Sequence, residues 1–215
     1  MYAQHVPIIA AGMRLRPAIM ERGIMFAVLT ARQHFTTVPD QMAELGRDGD
    51  AARCLFGWKY DAFLYVREHR DELYHRLRLA RSTRQALYDV TRIPGMGLVK
   101  GAFVLQLLGH DIACLDSQNI HRENLNPREY RSDGEARKIG SAFWNKLDRY
   151  ILATGGQAQQ YWDGWCEYVG DKYGFGAEEC SRIHLTIVPP AVRARLQPFH
   201  GKIELHDEGG SAIPF

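Results

Sequence analysis

Apolar side chains recur three and four residues apart along most of this chain, and this helical period limits the fold more than any other feature. One stripe comprises Leu55, Trp58, Phe63, Val66, Leu73 and Leu77. A second stripe comprises Ile139, Phe143, Leu147, Tyr150 and Ile151. The alternation of period two that is typical of strands is confined to short stretches such as "RIHLTIV" at 182–188. The pattern therefore predicts an all-α protein.

Length and composition are compatible with one unit or with two lobes around a cleft. The 215 residues are 46% hydrophobic and 24% charged, enough for a real core. We expect one all-helical unit over residues 1–198 and a loosely ordered tail over 199–215. Charges interrupt the apolar runs of the N-terminus, and no stretch reaches the roughly eighteen apolar residues of a membrane span. These patterns predict a cytoplasmic protein that does not engage a membrane.

A basic run lies between residues 67 and 84. Its arginines are Arg67, Arg70, Arg76, Arg78, Arg81 and Arg84. Such a run can meet a phosphate backbone by displacing counterions. The net charge of +2 is too small to indicate a nucleic-acid partner, however, and local acids favour a solvated helix face with ion pairs. Charge alone leaves both interpretations open.

The stretch "IPGMG" at 93–97 separates two helical patterns, one ending near Arg92 and one beginning at Leu98. Two glycines allow a tight turn, and backbone N–H groups at a helix N-terminus favour an anion. We interpret residues 84–109 as a helix-hairpin-helix that grips a DNA backbone. Its predicted DNA contacts are Gly95, Met96, Gly97 and Lys100. The alternative is an ordinary turn between two helices.

The segment "IPGMGLVKGAFVLQLLGHDIACLDSQNIHR" at 93–122 resembles the helix-hairpin-helix–GPD superfamily of DNA glycosylases. Members combine a hairpin "LPGVG", a following helix and an aspartate at this spacing. The resemblance implies a DNA glycosylase-like helical fold with two lobes around a cleft, and double-stranded DNA as partner. It places Asp116 at the catalytic aspartate position. From the residues alone, Asp116 is also a candidate N-cap for a helix that begins at Ser117.

Lys100 departs from the pattern of the superfamily. Members with lyase activity carry a Schiff-base lysine two residues after the last hairpin glycine, and Val99 occupies that position here. One residue turns a side chain by about 100° around a helix. We therefore expect Val99 and Gln106 to face the pocket, Lys100 to point away from it, and no Schiff-base lyase activity. The four-cysteine iron–sulfur motif is missing too, so no cofactor is expected.

Three stretches, "FGWKYDAF", "IPGMGLVKGAFVLQLLG" and "CLDSQN", are together similar to phage α-glutamyl/putrescinyl thymine pyrophosphorylase-like proteins. This narrower resemblance implies thymine hypermodification, in the host cytoplasm if the protein is phage-encoded. In that chemistry a pyrophosphorylated 5-hydroxymethyluracil in DNA loses pyrophosphate and gains an amine. A flipped base and a small-molecule amine or amino acid would then be the substrates.

Such a reaction assigns Asp116 to accept a proton from the attacking ammonium, and Asn119 to read a base edge or orient the amine. The predicted substrate pocket comprises Trp58, Lys59, Tyr60, Val99, Gln106, Gln118 and His121. The spacing of His110, Asp111, Asp116 and His121 matches no standard ligand pattern, so no metal is expected. Two alternatives stay open. One is a monofunctional glycosylase that uses Asp116 with water, and the other is a non-catalytic DNA-binding module.

Overall fold

The computed structural model describes residues 1–47, 55, 57–130 and 140–196. Within these residues the helices are α1 (Tyr2–Leu15), α2 (Pro17–Leu29), α3 (Val38–Arg47), α4 (Trp58–Glu68), α5 (Arg70–Leu79), α6 (Thr83–Thr91), α7 (Leu98–Leu107), α8 (Ser117–Arg122), α9 (Pro127–Tyr130), α10 (Ser141–Thr154), α11 (Ala158–Tyr173), α12 (Ala177–Ile183) and α13 (Pro190–Leu196). Two 3₁₀ helices span Phe35–Thr37 and His184–Ile187. None of the described residues forms a strand, so the predicted all-α class is confirmed.

Local signals account for several helix ends. The side chain of Ser82 caps α6 by accepting a 3.2 Å hydrogen bond from the Gln85 amide. Pro17 begins α2, where its missing N–H costs nothing. Gly174, with φ of 74°, ends α11 in the left-handed conformation. The stretch at 182–188 is helical rather than extended, because its apolar residues pack into a helical core.

Two helices, α2 and α7, are buried on almost every side and form the centre of the core. The run from Ile24 to Leu29 in α2 is buried, as are Leu98 and residues 101–107 in α7. Helices that are apolar all round belong in the interior. The C-terminal end of α2 meets the first turn of α7, where Lys100 Nζ lies 2.7 Å from Thr30 Oγ1.

The turn between α6 and α7 is shaped around a glycine. Gly95 has φ of 73°, and a Cβ built there would lie 2.2 Å from the Trp58 ring. The Ile93 side chain is buried. Met96 is buried too, and its N–H donates to the Ile93 carbonyl at 3.0 Å. Neither the side chain nor the N–H of Met96 is therefore exposed to a DNA backbone.

Three arginines of the basic run, Arg70, Arg76 and Arg84, form ion pairs. Arg76 pairs with Glu72 at 2.7 Å, and Arg84 pairs with Asp148 at 2.6 Å. These contacts support the interpretation of a solvated helix face. The predicted tail at 199–215 lies outside the described residues. In the described part of the chain, no helix has both the length and the apolar character required to cross a membrane.

Candidate active site

A cavity of about 260 Å³ opens between α7, the N-terminus of α8, α11 and the segment after α2. Its walls carry six aromatic side chains, Phe35, Phe103, Tyr161, Trp162, Trp165 and Tyr173. Asp116 and Lys100 both line it. A carboxylate and an ammonium group therefore share a cavity with aromatic walls, an arrangement typical of ligand sites.

Asp116 is held by three hydrogen bonds. Its Oδ1 accepts from the backbone amides of Gln118 at 3.1 Å and Asn119 at 2.9 Å. Its Oδ2 accepts from the Trp165 indole Nε1–H at 2.9 Å. The carboxylate caps α8, as the local sequence predicted, and it also lines the cavity; its catalytic role stays a prediction. Three of its roughly four acceptor positions are used, which leaves one on Oδ2.

The hydroxyl of Tyr150 holds the segment just before Asp116 in place. This hydroxyl donates to the Ala113 carbonyl at 3.0 Å and accepts from the Leu115 amide at 2.9 Å. Burial raises the pKa of Tyr150 well above its usual value, so the hydroxyl keeps its proton. Nearby, burial raises the pKa of the Cys114 thiol to about 12, which excludes a thiolate in the cavity wall near neutral pH.

The α7 wall of the cavity consists of Lys100, Phe103 and Gln106, three residues apart. The expectation that Lys100 points away from the pocket is wrong, and Val99 instead packs against the core beside the helix. The rotation of α7 is set by the burial of Leu98 and by the other apolar residues along its inner faces. The argument from helix rotation, which used the hairpin alone, predicted that Val99 faces the cavity, whereas the next residue, Lys100, does so.

Two amides in the cavity wall have different tasks. Gln106 Nε2 donates to the Ala158 carbonyl at 2.7 Å, which ties α7 to the start of α11. Asn119, only 3% exposed, donates from Nδ2 to the Cys114 carbonyl at 2.8 Å. Its Oδ1 is buried and has no partner within the described part of the chain. Unpaired buried acceptors are rare and costly, so this oxygen is an unusual feature of the cavity wall.

Several predicted pocket residues lie outside the lining of this cavity. Trp58 and Lys59 line an adjacent cavity of about 380 Å³, where Trp58 also covers Gly95. Tyr60 is 39% exposed on α4, and His121 is exposed with its ring 6.3 Å from that of Tyr168. Their contacts with DNA or base stay predictions. Gln118 does line the aromatic cavity, and its Oε1 accepts from Lys172 at 3.3 Å.

The aromatic wall from α11 is the largest part of the site that sequence reasoning missed. Tyr161, Trp162 and Trp165 lie on one face, at the i, i+1 and i+4 positions of that helix. This clustering in "YWDGW" was the available signal, although aromatic residues at such spacing more often form core. Thr30 and Arg32, which follow α2, carried no signal at all.

His184 closes the floor of the cavity. Its ring lies 4.3 Å from that of Trp162 and 4.9 Å from that of Phe35. Burial lowers the pKa of His184 to about 3, partly offset by hydrogen bonds to the carbonyl of Ser181 and the backbone of Cys180. The ring is therefore neutral near pH 7 and serves as packing rather than as an acid.

Comparison with known proteins leaves this site to be judged on its own geometry. No family model, curated protein or solved structure matches the chain. Among the described residues, no cluster of three or more histidines, cysteines or acids is arranged to hold a metal ion. The resemblance of residues 93–122 to the glycosylase superfamily thus stays an expectation.

Proposed function

We propose that this protein is a DNA base-modifying transferase. It would grip duplex DNA through the α6–α7 turn, hold an extruded modified thymine in the aromatic cavity, and exchange (pyro)phosphate on its 5-hydroxymethyl group for an amine. The observation that carries the proposal is that Asp116 and Lys100 line one cavity with aromatic walls, and that Lys100 lies three residues beyond the last glycine of the turn.

The cavity walls suit an extruded pyrimidine. Aromatic side chains stack on any base, and enzymes that act on a base read its hydrogen-bonding edge in a pocket. The unpaired Oδ1 of Asn119 is an acceptor. Once a small movement of the side chain exposes this oxygen to the cavity, the N3–H of a uracil ring is a donor that would satisfy it. Asn119 would then favour thymine-type bases over cytosine, whose N3 is itself an acceptor.

The reaction needs one group that accepts a proton and one that offsets the negative charge of the departing (pyro)phosphate. The amine nitrogen attacks the exocyclic methylene, a C–N bond forms, and the C–O bond to the phosphate breaks with its electron pair. The ammonium product then loses a proton to the remaining acceptor position on Asp116 Oδ2. Lys100, whose side chain is fixed by Thr30, would offset the negative charge of the departing phosphate.

A DNA glycosylase is the second candidate, and one observation favours it. Because Lys100 does line the cavity with Asp116, the helix-rotation argument against a Schiff-base lysine no longer applies. Asp116 could then support release of a base, with either water or Lys100 as nucleophile at the sugar. The cavity and its unpaired acceptor weigh against a purely non-catalytic DNA-binding module.

Nucleoside mass spectrometry decides between these functions. Duplex DNA containing 5-hydroxymethyluracil, in free and in pyrophosphorylated form, is incubated with the protein and a mixture of amino acids. A heavier nucleoside that appears only with amino acid supports transfer, and its mass identifies the donor. Free base with abasic sites supports a glycosylase, and borohydride trapping of a protein–DNA adduct, lost in Lys100→Gln, would identify a lyase. Neither product from any substrate would contradict both enzymatic proposals.

A further inference from the structure

We infer that Arg32, Lys59 and Lys100 form a subsite for a diphosphate group at the C-terminal end of α2. This inference rests on the proposed function, because it specifies where the leaving group of that reaction would be held. It also assigns a role to the second cavity and to Arg32.

Both lysines converge on the last residues of α2. Lys100 Nζ donates to Thr30 Oγ1 at 2.7 Å, and Lys59 Nζ donates to the Leu29 carbonyl at 3.3 Å. The two acceptor residues are neighbours in the chain. Burial, and secondarily the charge of Lys100, lower the pKa of Lys59, which is consistent with two ammonium groups within electrostatic reach of each other.

Neither lysine forms an ion pair with a carboxylate of the described residues. Among the described residues, no ion pair within 4.0 Å joins an acid to Lys59 or Lys100, although Glu44 lines the same cavity as Lys59 and Asp116 lines the same cavity as Lys100. Like charges that lie close together without a counterion repel each other. A bound anion would relieve that repulsion, so the arrangement favours an anionic ligand.

Arg32 lies where the two cavities meet. It lines both of them, as does its neighbour Gln33. Its φ is 55°, and the only other non-glycine residue with positive φ in the described part of the chain is Asn124. Such a conformation is strained for an arginine, and residues of this kind cluster at ligand sites. The guanidinium offers paired donors that match phosphate oxygens.

The charge of this cluster indicates a diphosphate rather than a single backbone phosphate. Three cations suit a group with several negative charges, whereas each backbone phosphate carries one. Lys100 also lines the cavity that would hold the base. A diphosphate on the exocyclic methylene would therefore extend from that cavity toward Lys59 in the adjacent one.

Calorimetric titration of the full chain with inorganic pyrophosphate tests the subsite. We expect saturable binding to the wild type and an affinity lower by about tenfold or more in Lys100→Gln and in Arg32→Gln, because each loses a charged hydrogen bond. Arg81→Gln, which removes an exposed arginine between α5 and α6, is the matched control and should bind normally. Arg32→Gly provides a further check, because it removes the charge while relieving the strained φ. Loss of binding in this variant would therefore not result from backbone strain.

Absence of pyrophosphate binding by the wild type at millimolar concentration would overturn the subsite, as would an equal loss in Arg81→Gln. A second arm measures the binding of unmodified duplex DNA. We expect Arg32→Gln to bind it like the wild type, and a parallel loss would assign Arg32 to the DNA backbone instead. Amine transfer without pyrophosphate binding would contradict the subsite but not the proposed function. Pyrophosphate binding without any product would contradict the proposed function but not the subsite.

Discussion

The Trp165 indole N–H donates a 2.9 Å hydrogen bond to Asp116 Oδ2 across 49 residues of sequence. The other carboxylate oxygen is occupied by two backbone amides of α8. Hydrogen bonds from two helices, α8 and α11, thus fix the orientation of the carboxylate. Its one remaining acceptor position lies on Oδ2, the oxygen that Trp165 orients.

Trp165→Phe keeps an aromatic ring in the wall and removes only the N–H donor. A hydrogen bond to a charged group contributes about 1.5–3 kcal/mol, so turnover should fall by about tenfold to a hundredfold if that bond orients Asp116 for the reaction. We expect kcat to carry the loss and KM to change little. Steady-state kinetics on the modified oligonucleotide measures both. Trp144→Phe, in the stack with Tyr88, is the matched control, and equal kinetics for the two variants would contradict this role.

Asp116→Asn should abolish turnover while leaving duplex DNA binding intact, because the α6–α7 turn is untouched. The asparagine Oδ1 can still cap α8, since asparagine and aspartate are similar N-caps. Its Nδ2 then faces the Trp165 N–H, donor against donor. Unchanged turnover would remove Asp116 from the mechanism.

That opposed pair of donors makes a separate prediction for stability. Asp116→Asn should lower the free energy of unfolding by about 1–3 kcal/mol, the cost of unpaired buried polar groups. The double variant with Trp165→Phe should recover most of this loss, because the indole donor is gone. Denaturant unfolding of the two single variants and the double variant gives the coupling energy. Simple additivity would show that the two side chains are not coupled.

Gly95→Ala should destabilise the protein more than Gly156→Ala. Both glycines have positive φ, at 73° and 76°, but only the Gly95 position faces an obstacle, the Trp58 ring at 2.2 Å. The extra cost should be roughly 1–3 kcal/mol in the free energy of unfolding, as for overpacked sites. Equal costs would mean that Trp58 moves aside freely.

Gly97→Ala is the cleaner probe of DNA contact. Gly97 has φ of −99°, a conformation open to any residue, so alanine adds no φ strain there. If the turn grips the backbone, this change should weaken binding to any DNA sequence about equally, and the double change of Gly95 and Gly97 should weaken it further. Affinity that survives both changes would make the turn purely structural.

The pH dependence of stability should report His184. Its pKa is about 3 in the folded protein against 6.5 ordinarily, so between these values the unfolded chain binds a proton that the folded chain does not. The free energy of unfolding should therefore fall as pH drops from 6.5 toward 3, by up to about 1.4 kcal/mol for each pH unit. His5 contributes in the same direction, because burial lowers its pKa too, despite Glu178 nearby. Unfolding curves of His184→Gln should show a shallower pH dependence, and an unchanged slope would contradict the assignment.

Helical periodicity and local chemistry were sufficient to predict the class of the fold and several of its parts. Repeating apolar residues predicted helices where α4, α5 and α10 lie, and the "IPGMG" stretch predicted the end of α6 and the start of α7. Asp116 was predicted as a helix cap because its neighbours in sequence supply the amides that it binds. Each of these depends on contacts within a few residues along the chain.

Tertiary structure alone decided which side chains share the cavity. The partners of Lys100 and Asp116 are Thr30, 70 residues away, and Trp165, 49 residues away. The direction of Lys100 depends on the rotation of α7, and that rotation follows from the sum of packing contacts on the buried faces of this helix. Local sequence predicts that a helix forms and where it ends, whereas its rotation about its own axis is a property of the whole core, because every neighbouring helix contributes to it.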